Sequence, residues 1–168
     1  YLLMTILNLI LWPFNRNKVN KIFLKLQVLA GAFMAFNHGS NDAQKSMGII
    51  TMALLSSGLI TIFEVPAWVI FICALSMALG TSIGGKKIIK TMGSGMAKLT
   101  PVNGFAAQSG AASVILTATL FDAPVSTTHI ITTTIMGVAA TKTIKSVKWG
   151  IAKNIVWAWF LTIPITAV

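Results

Sequence analysis

VLAGAFMAFNHGSNDAQKSMGIITMALLSSGLITI, residues 28–62, is one long apolar run with a polar insert, Asn37-His38-Gly39-Ser40-Asn41-Asp42. A helix needs about 20 apolar residues to cross a bilayer, so this run is too long for one untilted span. A glycine among amides and a hydroxyl points to a break in the helix at mid-depth. Unwound backbone at that depth survives only where it lines a cavity. The run predicts an all-α, polytopic transmembrane bundle containing a broken helix, and Glu64-Val65-Pro66 closes it.

Composition agrees with a membrane. Of 168 residues, 55% are hydrophobic and 10% charged, against about 25% charged in an average soluble domain. The formal charge of +10 suggests nucleic acid at first sight. The positions argue against that partner. Twelve of the thirteen bases fall in three short stretches between apolar runs: Arg16, Lys18, Lys21 and Lys25; Lys86, Lys87, Lys90 and Lys98; Lys142, Lys145, Lys148 and Lys153. Such clusters mark cytoplasmic loops. The single cysteine, Cys73, sits in an apolar run, so no disulfide framework arises.

The remaining segments follow from this pattern. Residues 1–14 read as the end of a span and 18–27 as an amphipathic helix at the headgroups. Residues 28–62 form the broken span, and 66–83 a second span. Residues 104–140 leave and return as a re-entrant-type hairpin. Its first arm is rich in Ala, Ser and Gly, which lets helices approach closely in lipid. Residues 150–168 start a last, truncated span. The whole is expected to be one transmembrane domain, a fragment cut at both ends. With all three basic clusters inside, every loop obeys the positive-inside rule.

The polar residues within these spans are the candidate site. A charge at mid-bilayer costs at least about 2.5–3.5 kcal/mol, yet Asp42 and Lys45 both fall there. At i and i+3 they can pair on a helix, as can Asn37 with Asn41 and His38 with Asp42 at i, i+4. This cluster reads as a substrate or ion site, or as an ion pair holding helices together. Pro124-Val125-Ser126-Thr127-Thr128-His129 is the second constellation. Hydroxyls and free N–H groups at a helix N-terminus suit an oxyanion, phosphate above all, although Ser and Thr cap helices everywhere. Gln108 either lines the same cavity or bonds a neighbouring helix. Thr132, Thr133 and Thr134 are expected to bond back to their own helix. His38 and His129 are either proton carriers or structural histidines. No metal ligand set, catalytic triad, Walker loop or Rossmann pattern is present. Gly93-Ser94-Gly95 is no more than a turn signal.

Gly39-Ser40-Asn41-Asp42-Ala43-Gln44-Lys45-Ser46-Met47-Gly48 resembles the G-x-N-D signature of the inorganic phosphate transporter (PiT) family. Pro124–His129 resembles that family's second motif, and Gly104-Phe105-Ala106-Ala107-Gln108 is similar too. The order matches the family's C-terminal repeat. The resemblance implies one half of an inverted-repeat transporter in the plasma (cell inner) membrane, not an enzyme, carrying phosphate by cation-coupled symport. Asn41, Lys45, Gln108, Ser126, Thr127 and Thr128 would bind phosphate. Asn37, Asn41, Asp42 and Lys45 would hold the coupling ion. No cofactor beyond that H+ or Na+ is implied. The partners implied are inorganic phosphate, membrane lipid and the N-terminal repeat half; a homodimer stays open. In the Na+-coupled branch asparagine tends to stand where Lys45 is, so an ammonium here replaces a bound cation and favours H+. Gln108 is a second departure, since some relatives carry an acid there. Rival readings are a passive anion channel, a membrane-embedded phosphotransferase that would lack a nucleophile–base pair, and a structural membrane subunit.

Overall fold

A computed structural model describes residues 1–90, 95–121, 123 and 125–166, without the side chains of residues 87–89 and 163. Asp122, Pro124, the Gly93-Ser94 pair, the side chain of Lys87 and the last two residues of the expected final span lie outside the described residues. Among the described residues six α-helices follow one another: α1 (Leu2–Leu11), α2 (Arg16–Ser56), α3 (Ala67–Lys90), α4 (Pro101–Leu120), α5 (Thr127–Ala140) and α6 (Trp149–Thr166). A 3-10 turn at Ile144–Ser146 precedes α6, and no strand occurs among the described residues.

The largest correction to the sequence reading concerns α2. The helix does not break at Gly39–Asp42; it runs unbroken for 41 residues and absorbs the segment expected to lie separately at residues 18–27. One helical glycine costs about 1 kcal/mol, too little to open a helix that holds no proline. Asn37 turns its Nδ2 back to Phe33 O at 2.8 Å, so it reinforces the helix. Local chemistry explains both ends of α2. Asn15 caps the start by accepting from Asn17 N. At the other end Gly58 adopts φ +74°. Gly58 N donates to Leu55 O and Leu59 N to Leu54 O, a Schellman stop. The helix therefore ends at Ser56, short of the expected residue 62.

α4 starts at Pro101, where proline suits a first turn, and Thr100 caps it through Asn103 N. Gln27 on α2 lies against Gly104 on α4, Gly31 lies against Gln108, and Asn41 bonds Thr119. Residue numbers rise together along both helices, so α2 and α4 run parallel. α5 returns antiparallel to α4, with Gly110 against Thr134. The turn between α4 and α5 is level with Asp42. It stops fourteen residues, about 20 Å, short of the end of α2.

Small residues make this packing close. Ala106, Ala107, Ala111 and Ala112 on α4 are each at most 5% exposed. A cluster of larger core residues, Met4, Phe23, Met96, Val102, Ile135 and Val138, lies at the opposite end from Asp42. Phe23 meets Phe105 edge-on at 5.2 Å between centroids, a contact of about 0.5–1.5 kcal/mol. Elsewhere large apolar side chains face outward, among them Phe36, Ile49, Phe71 and Phe160. Arg16–Ser56 and Ala67–Lys86 are long and apolar enough to cross a membrane. α4 carries Asn103, Gln108 and several hydroxyls, which lower its hydropathy while leaving it the helix with most buried residues.

Candidate functional site

The middle of α2 meets the N-terminus of α5. Asp42 is the centre of that meeting. Its Oδ1 accepts from Lys45 Nζ at 3.0 Å. Thr127, the first residue of α5 and 97% buried, donates to the same carboxylate at 3.2 and 3.3 Å. His38 Nε2 stands 3.5 Å from Oδ2. Lys45 makes a second bond, to Val125 O at 2.8 Å. The ammonium thus joins α2 to the backbone that leads into α5.

Helical spacing puts His38, Asp42 and Lys45 on one face of α2. The continuous helix makes this possible, since a break at Gly39 would separate them. α5 contributes its N-terminus because Ser126 caps it, His129 N lying 3.4 Å from Ser126 Oγ. The positive end of the helix dipole favours a negative charge there. In this arrangement that charge is the Asp42 carboxylate. An oxyanion reaching the same donors would have to share or displace it.

Beside this cluster Asn41 is buried, with Nδ2 donating to Thr119 Oγ1 at 3.2 Å. Thr119 passes its own proton to Ile115 O. Asn41 Oδ1 and His38 Nδ1 are buried without a protein partner. Orphaned polar atoms of this kind are costly unless a ligand or water serves them.

Other expected site residues fall elsewhere. Ser126 is exposed and occupied as the cap. Thr128 is exposed and has no recorded contact with Asp42. Gln108 lies over Gly31, ten residues and about 15 Å along α2 from Asn41, so it does not line the Asp42 cluster. Its Oε1 is buried without a partner. Asn37 is spent on Phe33 O. His129 stacks on Trp159 of α6, ring centroids 3.8 Å apart. Thr133 and Thr134 bond back to their helix as expected, but Thr132 Oγ1 has no partner. Thr119 and the Val125 carbonyl escaped the sequence reading. Their contacts span 78 and 80 residues of chain, and neither carries a local signal.

A model of the phosphate transporter family matches residues 11–168. The chain belongs to that family. A Bacillus subtilis protein described as a "probable low-affinity inorganic phosphate transporter" is 48% identical over 168 residues, covering 99% of this chain and 50% of the relative. A Rhizobium meliloti protein of the same description is 45% identical over 160 residues, covering 93% of this chain and 48% of the relative. A solved structure described as "The sodium-dependent phosphate transporter" superposes with a TM-score of 0.78 at 29% identity. That likeness covers 88% of this chain and 38% of the other. This family member spans about half the length of the curated relatives it matches.

Proposed function

We propose that this chain is the C-terminal repeat half of a secondary transporter that carries inorganic phosphate with a cation. Membership of the phosphate transporter family supports the substrate. The observation that carries the mechanism is the shared hold on Asp42 by Lys45 and Thr127. Phosphate competes with the carboxylate for the Thr127 hydroxyl, for Lys45 and for the free N–H groups of α5's first turn. A dianion beside the Asp42 carboxylate is repelled unless a cation accompanies it, so each ion favours binding of the other, which is coupling. His38 is the neighbouring group that passes the proton. The N-terminal repeat completes the site, and the basic loops lie in the cytoplasm. No cofactor is required.

The coupling ion is the proton on this reading, because Lys45 already supplies the positive charge that a sodium ion would bring. The similar solved structure is of a sodium-dependent protein, so sodium is the direct rival. The test is uptake of labelled phosphate by proteoliposomes holding the chain with its partner half. Accumulation under a proton gradient alone supports the proposal. Accumulation under a sodium gradient alone keeps phosphate transport and removes the Lys45 argument. Downhill equilibration, indifferent to both gradients, makes the protein a channel.

A further inference from the structure

Far from Asp42, the basic stretches that the chain keeps apart come together. A cavity of about 310 Å³ is lined by Lys98, Lys142, Lys145 and Lys148, with Asn103 and Ser146 among them. A neighbouring cavity of about 460 Å³ shares Lys142 and Asn103 and adds Arg16. No acid lines either one. The two acids among the described residues are elsewhere: Asp42 is level with the far end of α4, and Glu64 lies beyond the end of α2. Among the described residues, therefore, no acid offsets this positive charge.

The lysines stand on fixed backbone. Met96 and Ala97, at most 2% exposed, anchor the residue before Lys98. Lys148 N donates to Met96 O at 2.9 Å, clamping the start of α6 to that segment. Trp149 Nε1 donates to Ile144 O, and Thr143 pairs with Ser146, which holds the 3-10 turn carrying Lys145. Asn103 is 98% buried at the floor. Its Oδ1 takes the Thr100 hydroxyl proton at 2.7 Å, which leaves the amide N–H groups as donors.

We infer that this cavity binds a phosphate group, separately from the Asp42 cluster. Lysines act as point charges toward phosphate, the volume suits a small ligand, and basic pockets between membrane helices take phosphate headgroups. The group comes either from an anionic phospholipid or from free phosphate. This site does not depend on the transport reading, because binding is measured without flux.

The experiment compares the protein in its native assembly with K98Q/K145Q/K148Q and with the corresponding triple arginine variant. All three lysines are exposed, so the substitutions leave packing intact. In nanodiscs of phosphatidylcholine with phosphatidylglycerol, native mass spectrometry counts retained anionic lipid. In phosphatidylcholine alone, calorimetry follows inorganic phosphate. If lipid is the source, the glutamine variant loses retained phosphatidylglycerol, with affinity weakened about fivefold for each charge removed, and the arginine variant keeps it. If free phosphate is the source, the glutamine variant loses one phosphate-binding event and retains the other. Equal binding of both probes by wild type and glutamine variant overturns the inference, as does absence of both in wild type.

Discussion

Asp42 on α2 and Thr127 on α5 are 85 residues apart in the chain and joined by a hydroxyl that reaches both carboxylate oxygens, at 3.2 and 3.3 Å. This bond fixes the depth at which the α4–α5 turn meets α2. It also brings the N-terminus of α5 and the Asp42 carboxylate together. A hydrogen bond to a charged group contributes about 1.5–3 kcal/mol. Thr127→Val should therefore raise the KM for phosphate about tenfold or more while protein abundance holds. A loss of abundance matched by loss of uptake, with KM unchanged, would make Thr127 a packing residue only.

On the proposed mechanism, the charge of Lys45 decides the coupling ion. Its Nζ holds both Asp42 and Val125 O. Lys45→Asn removes the resident positive charge and leaves Asp42 to recruit a cation. Uptake by this variant should become sodium-dependent, with sodium stimulating it several-fold. Proton-driven uptake that persists at full rate and ignores sodium would refute the assignment.

The two histidines should separate cleanly. His38 faces Asp42 at 3.5 Å, whereas His129 stacks on Trp159. His38→Gln should slow proton-driven uptake and leave phosphate binding in place. His129→Phe keeps the ring contact and should leave both unchanged. The reverse pattern, read from uptake and equilibrium binding together, would transfer the proton role to His129.

Two glycines test the course of α2. Gly39 is helical, with nothing within 4 Å of an added Cβ. Gly39→Ala should raise thermal stability by about 1 kcal/mol; a fall would show that the segment unwinds. Gly58 is equally uncrowded but has φ +74°. Gly58→Ala should lower stability by about 1–2 kcal/mol. Both are read from melting in detergent.

Part of this architecture is legible residue by residue. Ser126, and Pro66 before α3, mark helix starts through chemistry that acts within one turn; Thr100 with Pro101 does the same for α4, ahead of the expected start at residue 104. Asp42 and Lys45 declare themselves as neighbours because i and i+3 meet on any helix. Asn37-His38-Gly39 misleads, because the same residues that open a helix in one setting are carried along by it in another. Gln108 misleads for a different reason. An amide on the correct helix still sits where the packing against Gly31 puts it, about 15 Å along α2 from Asn41.

The sequence by itself determined that the chain is helical and apolar, that twelve of its thirteen bases lie outside the apolar runs, and that one acid and one base sit together inside them. These are properties of composition and of period, carried by neighbours in the chain. The tertiary structure alone decided that α2 passes Gly39 unbroken, that α4 runs parallel to it, and that Asn41 meets Thr119 while Asp42 meets Thr127. It also gathered lysines from two separate stretches around one cavity, with Arg16 from the third lining the next. Such contacts join residues far apart in the chain, and no local preference encodes them. They arise where small residues let the helices approach closely, as at Gly31 against Gln108, Gly104 against Gln27 and Gly110 against Thr134, and that packing sets which polar groups face one another.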